Sequence, residues 1–267
     1  MKKLVLSLCV IGVAAMMTSC LEGNNSHTEQ GFVMIATSTE VSPLVRYGRS
    51  STGRSITHPT IQTGIATIGG QTVLIEPNNF YFFTYVVEPA NGRTFLGESG
   101  GHRRYADNVE IIGQITPVDR MWLNLMPAPD GVPEERFAGF SPGVLFYQEA
   151  WYWRDHWIVG FQYVGGTAGF PEVTFYKRET SDTAPNDIEI DVRISGIPQA
   201  TPPQQPQLGG HTLALNMSDI RRYFERETNR TVRVRFNYYT TGQGQAQTAV
   251  PGHTPWISWT LRGTGQQ

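Results

Sequence analysis

Hydrophobic and polar residues alternate in short runs along most of this chain, and the period is that of strands. In Ile188–Ile194, Ile188, Ile190, Val192 and Ile194 point one way and Glu189, Asp191 and Arg193 the other, as in a sheet with one wet face. Trp157–Val164 sets Trp157, Val159, Phe161 and Tyr163 on one side. Val232, Val234, Phe236 and Tyr238 alternate with Arg233, Arg235, Asn237 and Tyr239. Phe80–Val87 (FYFFTYVV) is aromatic and β-branched throughout, which predicts a deeply buried strand. Shorter strands are predicted at Gly31–Thr37, Thr72–Ile75, Asn108–Ile115, Met121–Leu125, Val144–Tyr147, Glu149–Trp153, Val173–Tyr176 and Trp256–Leu261. Ala90-Asn91-Gly92 carries the Asn-Gly signal of a hairpin turn. Ser38–Thr63 is polar and rich in Gly, Ser and Thr, and apart from Pro43-Leu44-Val45 predicts little pairing. Pro127–Pro142 and Pro198–Pro206 read as loops, because proline cannot donate to a ladder. One helix is predicted: Ser218 can cap it, and Ile220, Tyr223, Phe224 and Glu227 recur at helical spacing over about ten residues. The expected fold is mainly β, in two layers or barrels.

Composition agrees. Among 267 residues, 28 are Gly and 17 Pro, and only 16% are charged, which disfavours both a helical bundle and a disordered chain. The length suits one or two domains. The body divides into 31–118 and 119–267. The formal charge is −2; without Met1–Ser19 it becomes −4, since Lys2 and Lys3 leave and 19 basic face 23 acidic residues. A nucleic-acid partner is not expected from such a balance.

The N-terminus changes the picture most. Met1-Lys2-Lys3 is basic and Leu4–Met17 apolar or small, the pattern of a signal peptide over Met1–Ser19, too short for a membrane span. The segment Met17-Thr18-Ser19-Cys20 resembles the lipobox of bacterial lipoproteins. That resemblance implies a diacylglycerol thioether on Cys20, cleavage before it, and an acyl chain such as palmitate on the new amine, together a durable membrane anchor. Leu21, rather than Asp, follows the cysteine, so the analogy favours the outer membrane of a Gram-negative envelope. Residues 20–30 read as a polar, flexible tether. Cys9 and Cys20 are the only cysteines; one leaves with the signal and the other is lipidated, so neither a disulfide, a Cys zinc site nor a Cys nucleophile is expected in the body.

The lipobox, the strand GFVMIAT, the segments GGQTVLI and NNFYFFTYVV, the run HWIVGFQYV, the strand IEIDVRI, the Leu-Asn-Met-Ser-Asp-Ile passage into a helix and VRVRFNYY together are similar to the NigD-like lipoproteins of Bacteroidota. The resemblance implies an N-terminal OB-like barrel followed by a C-terminal β-sandwich with one short helix. It brings no catalytic residues. The family is named for a bacteriocin-linked gene, so an immunity role is an expectation at family level only. The Pro-rich insertion and the long Ser38–Thr63 stretch depart from the pattern.

Candidate chemistry is sparse. Gly97-Glu98-Ser99-Gly100-Gly101 fits G-x-S-x-G, with His58 and His102 as nearby bases, but no helix follows Ser99 as a nucleophile elbow requires. A serine hydrolase using Ser99 is therefore a minor alternative. None of the six histidines stands at a metal-ligand spacing, and neither a metal nor a cofactor is expected. Glu149, Asp155, Glu172, Glu189 and Asp191 lie near aromatics, which would suit a glycosidase only if two of them faced each other; alternation turns Glu189 and Asp191 to solvent. Trp151 and Trp153 are candidates for contact with a ligand or partner, as a stacking platform for a glycan or an apolar protein surface. Asp182-Thr183-Ala184 resembles a short O-glycosylation acceptor, with Thr183 modified. The resulting expectation is a lipid-anchored protein that binds a protein or a glycan and performs no catalysis.

Overall fold

A computed structural model describes residues 26–68, 71–142, 153, 155–178, 186–201, 204–224, 230–241 and 249–261. The chain is mainly β. The N-terminal half contains β1 (His27–Ser38), β2 (Val45–Ser50), β3 (Ser55–Thr57), α1 (Pro59–Thr63), β4 (Ile65–Ile68), β5 (Gln71–Leu74), β6 (Phe80–Val87), β7 (Arg93–Ser99) and β8 (His102–Asn124). Strands β1, β2, β3, β8 and β6 close into a ring: β1 pairs with β2 and β6, β2 with β3, β3 with β8 in parallel, and β8 with β6. This is the pairing of an OB-like barrel, with α1 and the β4–β5 hairpin between the third and fourth ring strands. Val33, Ile35, Ile56, Phe83, Tyr85 and Val109 fill its interior.

The C-terminal half adds β9 (Gly139–Pro142), β10 (His156–Gly165), β11 (Glu172–Lys177), β12 (Asp187–Ser195), β13 (Gln207–Asn216), α2 (Ser218–Phe224), β14 (Arg230–Thr241), β15 (Ala249–His253) and β16 (Ile257–Leu261). One layer runs β9-β10-β13 and ends on β8 at Asp119–Trp122. The other starts on β8 at Leu123–Asn124 and runs β11-β12-β14, with β15 and β16 both paired to β14. Between the layers lie the alternating apolar residues that the sequence singles out: Trp157, Val159, Phe161 and Tyr163 against Ile188, Ile190, Val192, Ile194, Val232, Val234 and Phe236. Strand β8 passes from one half to the other without interruption, exchanging β6 at Val118 for β13 at Asp119. Met34, Phe80 and Val118 on the outside of the barrel pack on Trp153, Ile158 and Ala214.

Several elements differ from the sequence expectation. Pairing begins at His27, not Gly31, because the buried Glu29 is bonded to Tyr85 and Arg54, which hold this stretch in the sheet. The Ser38–Thr63 stretch forms β2, β3 and α1. Its glycines and polar residues have specific places there: a Cβ on Gly48 would stand 2.4 Å from Val33 Cγ1, so only glycine lets β2 lie so close, and His58 Nδ1 caps α1 by accepting from the Thr60 N–H at 3.1 Å. Ala90-Asn91-Gly92 is no hairpin turn. Pro89–Asn91 form a single 3₁₀ turn, and β6 and β7 on either side of it both pair with β8 instead of each other. Strands β4, β7, β9, β13 and β15 are additional. In β13 the pair Gly209-Gly210 hides the strand from pattern reading, yet a Cβ on Gly209 would stand 2.6 Å from the Tyr163 ring. The strands predicted at Val144–Tyr147 and across 149–152 lie outside the described residues.

Candidate functional site

The outer face of β12 and β14 gathers a dense set of charged and aromatic side chains. The two strands run parallel with Asp187 beside Arg233, Glu189 beside Arg235 and Asp191 beside Asn237. Register therefore sets opposite charges across from each other. Arg233 clasps Asp187 through two nitrogens, with Nε 2.7 Å from Oδ1. Arg235 donates to Glu189, whose other oxygen takes the Asn237 amide at 2.8 Å and Arg178 at 3.3 Å. The Asn237 amide also reaches Asp191 at 3.3 Å. Trp256, just before β16, lies against this row: the Arg235 guanidinium carbon is 4.4 Å and that of Arg233 5.2 Å from its ring centre. Further along, Arg193 sits 4.9 Å over the Tyr239 ring and donates to the Pro129 carbonyl.

Glu189 is buried, a correction to the solvent-facing carboxylate that alternation predicts, because the long arginine stems close over it. Burial alone would raise its pKa; the donors Asn237, Arg235 and Arg178 outweigh burial and hold it below the ordinary value. An ionised carboxylate with its lone pairs occupied neither gives nor accepts a proton readily. The face is a lattice of guanidinium, carboxylate and aromatic groups in which four arginines meet three carboxylates, with Arg233 about half exposed.

A second polar centre closes one end of the barrel. Glu29 accepts from the Tyr85 hydroxyl at 2.6 Å, the Thr52 hydroxyl at 2.7 Å and Arg54 Nε at 2.7 Å, and lies 2.8 Å from His27 Nε2. Arg54 reaches on to Asp107 at 3.2 Å, which Arg93 also meets at 2.8 Å. Burial raises the Glu29 pKa, but these hydrogen bonds more than offset it and the net direction is down. Tyr85 is pushed well above the usual phenol range by burial and by the adjacent carboxylate. A separate ion pair, Asp155 with Arg221 at 2.6 Å, is buried and ties α2 to the start of β10.

The residues nominated by sequence do not converge here. Trp153 is core, not a platform: it is 2% exposed, its ring packs edge-to-face with Phe80 at 5.5 Å between ring centres, and its Nε1 donates to the Arg49 carbonyl at 2.9 Å. Trp151, Glu149, Thr183 and Cys20 lie outside the described residues. Ser99 is exposed at the end of β7, opposite His102 in the ladder. Gly100 and Gly101, with φ of 58° and 79°, make the tight turn between β7 and β8, and Gly97, with φ of 120°, sits at the irregularity in β7 where a Cβ would stand 2.3 Å from Glu40, so both glycines of the G-x-S-x-G match, Gly97 and Gly101, are explained by backbone geometry. His58 caps α1 and accordingly keeps an unprotonated nitrogen; burial lowers its pKa. No group of three or more metal-ligating side chains occurs among the described residues. The complementary charges of β12 and β14 are visible in the sequence, but the placement of Trp256 over them is not, since nothing in the local pattern fixes the path before β16.

No protein-family model matches the chain, and no curated protein does. Solved structures do. A protein of Parabacteroides merdae ATCC 43184, described as uncharacterized, superposes with a TM-score of 0.53 at 9% identity, over 88% of this chain and 99% of its own. A protein of Bacteroides fragilis NCTC 9343 described as a candidate lipoprotein gives 0.51 at 8%, over 89% and 100%. A NigD-like immunity protein of Bacteroides caccae ATCC 43185 gives 0.46 at 12%, over 88% and 97%. The chain thus has a fold found, over nearly their whole lengths, in proteins of Bacteroides and Parabacteroides, and a NigD-like protein is among the structures it resembles.

Proposed function

We propose that this chain is an envelope lipoprotein, held to the membrane by lipid on Cys20 and acting by binding, without catalysis. The observation that carries the reading is the N-terminal order: a basic start, a 14-residue apolar run, then Met17-Thr18-Ser19-Cys20, only seven residues ahead of the first strand at His27. The Bacteroides fragilis neighbour described as a candidate lipoprotein supports the same placement. Leu21 after the cysteine favours the outer membrane. The binding surface in this reading is the outer face of β12 and β14, where Arg233, Arg235, Trp256 and Tyr239 supply the residue types that dominate protein interfaces. A protein partner is favoured over a glycan, because Trp153 offers no stacking face.

Cell fractionation of wild type and Cys20→Ala tests the anchor. Wild type partitions with membranes, whereas the variant is released or retains its signal. A processed Cys20→Ala protein still in the membrane fraction overturns the reading.

A further inference from the structure

We infer that the protein stands on the bilayer by one end of its barrel, the end built from His27, Thr52, Arg54 and the Pro89–Asn91 turn, with the sandwich projecting away from the lipid. The inference rests on the anchoring reading at Cys20 and adds a direction to it. From Cys20 to His27 there are seven residue steps, which span at most about 25 Å when fully extended. His27 pairs with Val87, and Val87 with Val109, so the three residues mark one end of the barrel. The same end holds Glu29, Arg54, Asp107 and Arg93 in one connected set of ion pairs.

Strand β8 measures the distance to the sandwich. Between Val109 and Val118 it is bulged against β6, whose partners Val87 to Phe80 span seven residues, or about 23 Å along the strand, and pairing with β13 starts at Asp119. The sandwich then extends further in the same direction. Tyr176 of β11 lies beside Asn124, Lys177 faces Ile190, Asp187 lies beside Arg233, and Arg230 faces Leu261. Each step carries the layer onward, so Thr231 and Thr260, which face each other in the last ladder, stand at the end remote from the barrel. Turning the sandwich toward the lipid would oblige the seven-residue connection to pass the whole sandwich and most of the barrel. That path is longer than about 25 Å, so the connection cannot make it. The apposed surface is a polar one: Arg54 and Arg93 pair with Glu29 and Asp107, and His27 lies in hydrogen-bond reach of Glu29, which suits it to lie beside hydrated headgroups without inserting.

Cysteine usage makes the test direct, because lipidation consumes Cys20 and Cys9 leaves with the signal. In purified lipidated protein, Ala90→Cys, beside the 3₁₀ turn, and Thr260→Cys, at the remote end, each supply one free thiol; both positions are exposed. Each variant is labelled with a donor dye and reconstituted into phosphatidylcholine vesicles carrying a headgroup acceptor, and flotation is measured on the same samples. The expected result is co-flotation of both, with strong loss of donor emission at residue 90 and little at 260. Co-flotation with equal or reversed quenching overturns the orientation and leaves the anchor standing. Failure to float overturns the anchor and, with it, the orientation.

Discussion

Glu29 illustrates how this chain treats buried charge. A carboxylate removed from water is costly unless every lone pair is met, and here two hydroxyls, a guanidinium and an imidazole surround it. Its pKa lies below 4.5 in the folded state, so the unfolded chain binds the proton more readily. The linkage sign follows: the stabilisation is complete above about pH 4.5 and is lost as pH falls through the lower folded value. Glu29→Gln keeps the shape but removes the charge that Arg54 requires. It is expected to cost about 2 kcal/mol near neutral pH, the range for hydrogen bonds to charged groups, and to flatten the acid limb of stability. Urea midpoints of wild type and variant across the acid range check this. An unchanged acid limb in the variant would assign the pH dependence to other carboxylates.

Among the elements, the β7–β8 hairpin separates a turn from a nucleophile. Gly100 and Gly101 both hold positive φ, a conformation that side chains disfavour by about 1–2 kcal/mol per residue. Gly100→Ala is therefore expected to lower stability by about 1 kcal/mol, whereas Ser99→Ala stays within about 0.5 kcal/mol, as exposed positions do. Thermal or urea unfolding of the two variants distinguishes them; a larger loss for Ser99→Ala would show that its hydroxyl has a role the turn does not explain. The same hairpin shows what was legible beforehand. Strands with strict alternation, such as β12 and β14, or with unbroken apolar character, such as β6, are plain in the sequence because burial demands that pattern. Strands β2 and β13 escape because close packing requires glycine at Gly48 and Gly209, and glycine reads as a breaker. Glu189 is read as solvated because alternation gives the direction of a side chain but not what folds over it. Trp153 could face either way by pattern, and its place against Phe80 depends on how two halves meet, a contact between residues far apart in sequence.

At the scale of the whole molecule, a closed barrel and a two-layer sandwich share one 23-residue strand and an apolar joint formed by Met34, Phe80, Val118, Trp153, Ile158 and Ala214. A shared strand and an apolar joint oppose independent rotation of the halves. That rigidity suits a post that presents a surface at a fixed height above a membrane, which is the role assigned here. That role depends first on the lipid. Mass spectrometry of the N-terminal peptide from natively expressed protein tests it most directly. The predicted peptide begins at Cys20 and carries a diacylglycerol thioether and an acylated amine; a peptide with an unmodified thiol at residue 20, or a mature chain that starts elsewhere, contradicts the account.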